Sequence, residues 1–175
     1  MNFVKSSLKS HATYILAIMF ALMGGSAVND SLTMDELAHI PAGFGYVTQL
    51  DGRLNPEHPP LLKILSALSG EIFAQPYFPV DTPYWRDYIN GQWDQGRAFL
   101  YESGNNADRI IFFARIPFIF LTLFFGILLW RWARERFGHL TALFTLLFFS
   151  FSPTMLAHAR YVTTDLGAAF GFFIG

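Results

Sequence analysis

The sequence predicts an all-α polytopic membrane protein with three transmembrane helices, the start of a fourth, and a long outer loop that carries interfacial helices. Of its 175 residues, 53% are hydrophobic and 14% are charged, whereas about a quarter are charged in typical soluble domains. The apolar residues, which include 20 Phe, are concentrated in four separate runs. Basic residues lie beside the first two runs, as in membrane proteins.

The same composition excludes several other classes of protein. The apolar content excludes a disordered chain, and the absence of Cys excludes a disulfide-stapled domain and a Cys-based zinc or thiol enzyme. The net charge of −1 gives no support to a nucleic-acid partner, which requires a concentrated basic face.

The first predicted span covers residues 12–28 and follows Lys5 and Lys9. It contains no charge, and as a helix it would be about 25 Å long, just enough to cross a bilayer core. A cleaved signal peptide is the alternative, with Gly25-Ser26-Ala27 as the small-residue cleavage site. Both interpretations give the downstream residues the same topology.

The remaining predicted spans cover about 110–130, 140–157 and 166–175. Arg131, Arg134 and Arg136 follow the second span, so the positive-inside rule places this turn and the N terminus in the cytoplasm. Residues 29–109 then form an outer loop, which contains eleven acidic and five basic residues. We therefore expect an integral protein of the bacterial inner membrane.

Arg115 is the charged residue inside the predicted second span. It lies about a turn and a half from the outer end, so we expect its guanidinium group to reach the outer headgroups. The spans carry no charge near their midpoints, which does not favour a transporter.

The outer loop begins with a capping-box pattern, in which Thr33 precedes Glu36 by three residues. A helix that begins there would bring Asp35, Glu36 and His39 onto one face, and Pro41 with two following glycines would weaken its continuation. The alternative is that the two acidic residues only cap the helix and complement its dipole.

A proline-rich segment predicts a second outer-loop helix. The double proline at 59–60 fits the first turn of a helix that runs to about Ser69 and ends at Gly70. Glu57 and His58 would lie just before its N terminus, where backbone amides favour an anion such as phosphate; an ordinary Pro-rich turn is the alternative. An apolar stripe would place the helix along the membrane interface; its residues are Leu61, Leu62, Ile64, Leu65 and Leu68.

The rest of the loop is rich in aromatic residues. They are Tyr77, Phe78, Tyr84, Trp85, Tyr88, Trp93 and Phe99. Aromatic side chains with one polar end are typical of the headgroup level, so we expect interfacial anchoring. A sugar-stacking surface is the alternative.

The outer segments together predict a site at the membrane surface. Its candidates are Asp35, Glu36, His39, Glu57, His58, His158 and Asp165, with Arg53, Lys63 and Arg160 nearby. Carboxylates can act as a general base on a hydroxyl, or can bind a divalent metal ion together with His, as Glu57 and His39 would. The cations could hold a phosphate leaving group. This combination suggests transfer chemistry on a lipid phosphate.

Four stretches, in order along the chain, resemble the GT-C membrane glycosyltransferases, in particular the group of protein O-mannosyltransferases and lipid A aminoarabinose transferases. Met34-Asp35-Glu36 resembles the Asp-Glu motif of the family's first outer loop, and residues 56–63 resemble a His-Pro-Pro-Leu segment of bacterial members. Residues 114–117 with the basic turn up to Gly138 resemble the second span, and residues 153–165 resemble the entry to the second acidic loop.

The resemblance implies an inverting transfer of a sugar from a polyprenyl-phosphate carrier to a hydroxyl of a protein or glycolipid acceptor. Asp35 would be the general base, Glu36 its neighbour in the motif, and Asp165 the acid of the second loop. Glu57 would match an acid that helps to hold a metal. His58 lies where relatives have a Lys that contacts the carrier phosphate, so together with Arg53, Lys63 and Arg160 it is a predicted substrate-binding residue.

Members of this family have many more spans, so we expect the chain to be an N-terminal fragment that is inactive alone. The alternative function is a small non-catalytic membrane protein that binds a metal ion or lipid headgroup through Glu36, His39, Glu57 and His58. The reading frame beyond Gly175 discriminates the two, because further spans favour the enzyme and a stop codon favours the binding protein.

Overall fold

A computed structural model describes the backbone of residues 2–175 and the side chains of residues 11–175. Within this part of the chain every regular element is helical, with nine α-helices, one π-helical segment and no strand. The all-α prediction is therefore confirmed. The side chains of Lys5 and Lys9, on which the predicted orientation partly depends, lie outside the described residues.

The α-helices fall into long apolar helices at the two ends of the chain and shorter helices between them. They are α1 (Asn2–Asn29), α2 (Met34–Thr48), α3 (Pro60–Phe73), α4 (Pro83–Arg86), α5 (Gln92–Arg97), α6 (Ala107–Phe137), α7 (His139–Phe151), α8 (Pro153–His158) and α9 (Asp165–Ile174). The π-helical segment, Ala98–Glu102, follows α5. Helices α1, α6 and α7 pack on one another, while α2 packs on α3 and α5, and α3 packs on α6.

Two helices are long and apolar enough to cross a bilayer. They are the His11–Asn29 part of α1, with 19 residues, and α6, with 31 residues. Their lengths of about 28 and 46 Å compare with a bilayer core of about 30 Å. Buried core helices and N-terminal signal sequences share this length and composition, so the two helices support a membrane protein only weakly.

The third predicted span, 140–157, is not one helix. Helix α7 ends at Phe151, and α8 begins at Pro153 after an extended Ser152. Pro153 has no N–H to continue the α7 ladder, and the Ser152 hydroxyl accepts a hydrogen bond from the Met155 N–H at 3.5 Å as an N-cap. The 13 residues of α7 span about 20 Å, less than the thickness of a bilayer core.

Helix α2 begins as predicted but continues further than expected. Thr33 is its N-cap, and the complete capping box with Glu36 is present. The helix runs through Pro41 to Thr48, so the expected weakening after Pro41 does not end it. Gly43 has a packing role here, because a Cβ at this position would lie 2.2 Å from the carbonyl oxygen of Lys63.

Helix α3 also begins where predicted, but it does not end at Gly70. A Cβ at Gly70 would lie 2.6 Å from the Phe44 ring, so this glycine permits close packing inside the helix. The polar and small residues of α3 face the protein, and Ser69 donates a hydrogen bond to the Phe113 carbonyl of α6 at 2.6 Å. In the predicted leucine stripe, Leu61, Leu65 and Leu68 are exposed, with Leu61 65% exposed, whereas Leu62 and Ile64 are partly buried.

The aromatic residues of the outer loop divide into two groups. Phe78, Trp85 and Phe99 are buried, and with Phe44 they form a cluster whose ring centroids lie 4.9 to 5.4 Å apart. The prediction of interfacial anchoring is therefore wrong for these three residues, because they pack the core between α2, α4 and the π-helical segment. Tyr77, Tyr88 and Trp93 are exposed and remain available to a surface role; Tyr84 is only partly buried.

Candidate functional site

A fully buried ion pair lies at the start of α2. Arg115 of α6 donates from Nε to Glu36 Oε1 at 2.8 Å and from Nη2 to Glu36 Oε2 at 2.7 Å, and neither side chain has any exposed surface. The expectation that Arg115 reaches the outer headgroups is therefore wrong. Removal of one partner from such a pair leaves a buried charge and typically costs about 3–5 kcal/mol.

Glu36 also joins two further segments. Its Oε2 accepts hydrogen bonds from the N–H and the hydroxyl of Thr33, both at 3.0 Å. Its Oε1 accepts a hydrogen bond from the Val162 N–H at 3.2 Å. The carboxylate thus connects the N-cap of α2, helix α6 and the turn between α8 and α9.

A second ion pair connects the same turn to the end of α1. The Arg160 guanidinium group contacts the Asp30 carboxylate and donates to the Tyr161 hydroxyl at 2.9 Å. Burial raises the pKa of Asp30, but hydrogen bonds from Arg160 and Tyr161 outweigh it and hold the pKa below its ordinary value. Arg160 was predicted to bind substrate, and its guanidinium group is already engaged by these partners.

Asp35 has different surroundings from its neighbour. It lies in the first turn of α2 and is exposed. Among the residues that the structure describes, its carboxylate takes part in no hydrogen bond or ion pair. Its charge acts on the buried His39, one turn further along the helix. Asp35 is therefore a free carboxylate on a well-fixed helical turn.

His39 and His58 lie together, as the sequence analysis expected of the outer segments. Their ring centroids are 5.1 Å apart. His39 Nδ1 lies 2.8 Å from the Val162 carbonyl, so its neutral form donates there and keeps Nε2 as an acceptor. Burial lowers the pKa of His39 below its ordinary value. His58 Nδ1 is buried and has no partner among the described residues.

Lys63 is buried beneath the loop that precedes α3. Its Nζ donates to the Asn55 carbonyl at 2.6 Å, the Asn55 side-chain oxygen at 2.8 Å and the His58 carbonyl at 2.9 Å. It also contacts the Tyr46 hydroxyl at 2.9 Å. Burial lowers the pKa of Lys63 to about 8. This ammonium group is surrounded by protein acceptors, so its contacts here are structural rather than those of a phosphate ligand.

Glu57 is exposed but hydrogen bonded. Its Oε1 accepts from Gln92 Nε2 at 2.8 Å and from Asn55 Nδ2 at 3.3 Å, while Asn90 donates to Oε2 at 3.2 Å. A hydrogen bond from its own backbone and the bond from Gln92 lower the pKa of Glu57. The carboxylate therefore connects the loop before α3 to the segment around α5.

Arg53 is the most exposed of the predicted substrate-binding cations. Its Nη2 lies 2.6 Å from Asp51 Oδ2, and its Nη1 donates to the Trp85 carbonyl at 2.7 Å. The guanidinium carbon also lies 4.6 Å from the centroid of the Trp85 ring. Arg53 keeps solvent access but is oriented by these contacts.

Asp165 and His158 line a separate cavity. The cavity has a volume of about 300 Å³ and lies between α8 and α9, where both polar side chains are exposed. Asp165 is in the first turn of α9. Glu36 and His39 thus both bind the backbone of Val162, and His58 lies beside His39. Asp35 is exposed on the same helix, whereas Asp165 lines a cavity with His158.

The described residues contain no group of three or more His, Asp or Glu side chains suited to a metal ion. Glu57 is hydrogen bonded to amide side chains. His39 is bound at Nδ1 by a backbone carbonyl, which leaves Nε2 as an acceptor. The two predicted metal ligands belong to no such group among the described residues, so their role in holding a metal stays a prediction.

Several residues that join the segments of the site were not predicted from the sequence to do so. Arg115, Asp30 and Tyr161 join segments 79 to 131 residues apart, and Asn55 supplies two acceptors to Lys63 with a positive φ of 49°. The sequence did carry one signal for Arg115. A charged side chain inside an apolar helix is energetically unfavourable unless it has a partner, so an acidic partner was to be expected.

No protein-family model, no curated protein and no solved structure matches this chain. What the fold and the site define is an all-helical protein with a buried Glu–Arg pair beneath an exposed carboxylate. The resemblance to the GT-C glycosyltransferases stays a prediction, which depends on Met34-Asp35-Glu36 and the three later stretches of the sequence.

Proposed function

We propose that the protein is a lipid-carrier-dependent glycosyltransferase of the GT-C type, which transfers a sugar from a polyprenyl phosphate to an acceptor hydroxyl. The observation that carries the proposal is the unpaired, exposed carboxylate of Asp35 beside the fully bonded Glu36. A carboxylate that is held in place and free of partners can accept the proton of a hydroxyl.

The proposed reaction is a single displacement at the anomeric carbon of the donor sugar. Asp35 takes the proton of the acceptor hydroxyl, and the hydroxyl oxygen forms a bond to that carbon. The bond between the carbon and the carrier phosphate breaks on the opposite face, and the phosphate leaves with the electron pair. The anomeric configuration is therefore inverted, and the acceptor is a protein or a glycolipid.

An apolar groove supports a lipid carrier as the donor. It has a volume of about 530 Å³ between α3, α6 and α9, and its lining includes four leucines, two glycines and Phe170. Pro59 and Thr164 also line it, and they adjoin His58 and Asp165 in the chain. We propose that an isoprenyl chain occupies the groove, which would leave its phosphate near His58.

The sidedness of α3 supports a membrane environment. In a soluble protein, the apolar face of an amphipathic helix is directed at the core, but here Lys63, Ser66 and Ser69 face the protein. Leu61 and Ile72 are 65% and 63% exposed, which is favourable in contact with lipid and unfavourable in water. We propose that α3 is an interfacial helix and that α1 and α6 are spans.

The proposed orientation has residues 29–109 outside a bacterial inner membrane and the N terminus in the cytoplasm. The basic residues at the end of α6 support it, because Arg131 and Arg136 are exposed there, and positive charge favours the cytoplasmic side. The site around Asp35 then faces the compartment in which the acceptor hydroxyl is modified.

A transfer assay tests the proposed function. The protein is expressed from its complete reading frame, and its membranes are incubated with polyprenyl-phosphate-[14C]mannose and a pool of periplasmic proteins and lipids. We expect Asp35→Asn to reduce label transfer at least about 100-fold, since removal of a general base typically costs that much. Membrane insertion and expression should be unchanged.

Asp108→Asn is the matched control, because Asp108 is an exposed acid in the first turn of α6 and should keep normal transfer. Normal transfer by Asp35→Asn would disprove the role of Asp35 as base. No transfer of any labelled carrier sugar by the wild-type protein would favour the non-catalytic binding protein instead.

A further inference from the structure

We infer that Arg115 is a positioning residue that fixes Asp35 through Glu36 and thereby sets the geometry of the proposed base. The inference rests on the proposed function and deepens it. Arg115 does not touch Asp35; it acts on the helical turn to which Asp35 belongs.

The hydrogen-bond donors of Arg115 are fully used. A guanidinium group has five N–H donors, and two of them bind Glu36. The others bind backbone carbonyls at the end of α1 and in the connection to α2: Nη1 donates to Ala27 at 3.1 Å and Asp30 at 3.0 Å, and Nη2 donates to Ser31 at 3.0 Å. Arg115 therefore has no donor left for a carrier phosphate.

Glu36 is saturated in the same way. It accepts two hydrogen bonds from Arg115, two from Thr33 and one from the Val162 N–H. A carboxylate with five donors and no exposed surface is a poor acceptor for a substrate proton. Of the two acids in the motif, one is structural and the other is free.

The consequence for Asp35 follows from chain connectivity. Glu36 directly follows Asp35 in the chain, so the bonds that hold Glu36 also restrict Asp35. Thr33, two residues before Asp35, fixes the start of the same turn as its N-cap. The Arg115 guanidinium group holds this turn against α6 and against the end of α1. Asp35 thus lies on a turn that the Arg115 guanidinium group holds together with the Thr33 cap and the Val162 N–H.

A lysine cannot reproduce this arrangement. Its ammonium group carries the same charge but has three donors at one point, whereas the arginine fork binds both carboxylate oxygens at once. Arg115→Lys should keep the buried charge paired and let the turn shift. A displacement of about 1 Å at a reacting group can reduce a rate about 100-fold.

The first arm of the test measures position without activity. The chain has no Cys, so spin labels can be placed on Asp35→Cys and Asp108→Cys, and their distance distribution measured by pulsed EPR in detergent. We expect Arg115→Lys to broaden or shift this distribution. Arg97→Lys is the control, because Arg97 forms an exposed pair with Glu102 at 2.9 Å, and it should change nothing.

The second arm measures transfer per folded molecule, with folded protein quantified by gel filtration and Asp35 present. We expect Arg115→Lys to lower kcat about 10- to 100-fold with little change in KM for polyprenyl-phosphate mannose. A purely structural role would instead reduce the folded fraction and leave kcat per folded molecule unchanged. Glu36→Gln is the second variant, and it should likewise lower kcat with little change in KM.

The outcomes distinguish this inference from the proposed function. An unchanged distance distribution together with unchanged kcat in Arg115→Lys would overturn the inference, and so would failure of both variants to fold. If the wild-type protein transfers no sugar, the proposed function fails. The distance arm still decides whether Arg115 holds residue 35 in place.

Discussion

Asp35 and Glu36 are adjacent carboxylates with opposite surroundings. Successive residues of an α-helix point about 100° apart, so the first turn of α2 directs Glu36 into the protein and Asp35 outward. The capping-box pattern predicted the Thr33–Glu36 contact from sequence alone, and the structure confirms it. The partner that makes Glu36 structural, Arg115, is 79 residues away and was assigned to the headgroups instead.

The surroundings of His39 lead to a prediction on stability. Burial, aided by the charges of His58 and Lys63, lowers its folded-state pKa below the ordinary value of 6.5, against a smaller opposing effect of Asp35 and the Val162 carbonyl. The unfolded chain then binds more protons around and below pH 6.5. The contribution of neutral His39 to the stability of the folded protein is therefore fully present above pH 6.5. It is lost as the pH falls through the folded-state pKa of His39.

Thermal unfolding in detergent between pH 7.5 and 5 measures this effect. We expect Tm to fall as pH decreases below 6.5. His39→Gln keeps an N–H donor for the Val162 carbonyl but cannot be protonated, so its Tm should depend less on pH over the same range. An equal slope in both proteins would show that other groups control the dependence.

Helices α2 and α3 approach each other closely at a glycine, Gly43. A Cβ at Gly43 would lie 2.2 Å from the Lys63 carbonyl oxygen and 2.8 Å from the carbonyl carbon. Both atoms belong to the backbone, so no side chain can move aside, and the helices would have to separate. From the sequence, Gly43 was interpreted as a residue that weakens α2. Its packing role was not predicted, because the atoms that it contacts belong to the backbone of α3.

We expect Gly43→Ala to lower the free energy of unfolding by about 1–3 kcal/mol, the usual cost of an overpacked core. Gly24→Ala is the control, since a Cβ there meets nothing within 4 Å, and alanine favours a helix by up to about 1 kcal/mol. Denaturant titrations of the two variants in micelles compare them directly. Equal stability of both variants would contradict the close approach of α2 and α3.

Helix α3 shows what a periodic pattern can and cannot predict. Its leucine stripe and its start at the double proline were predicted, and both are present. The periodic pattern does not predict what the face of α3 opposite the leucines contacts. That face carries Lys63, which was predicted to bind substrate and is instead buried among four oxygen acceptors. Burial of a cation depends on partners from other segments.

The sequence predicted the helical class, the two long apolar helices, the N-cap of α2 and the start of α3. These features depend on residues within about four positions of one another. It did not predict the break at Ser152 or the buried Phe78, Trp85 and Phe99, because each depends on tertiary packing. The two ion pairs, Glu36–Arg115 and Asp30–Arg160, are equally long-range.

The proposed function requires that Asp35 lie at the outer surface of a membrane. The Cys-free chain allows a direct measurement, in which Asp35→Cys is treated with a membrane-impermeant maleimide in intact spheroplasts. Arg136→Cys, at the exposed basic end of α6, serves as the cytoplasmic reference. We expect labelling at position 35 without permeabilisation and at position 136 only after it. Labelling of position 35 only after permeabilisation would disprove the proposed orientation.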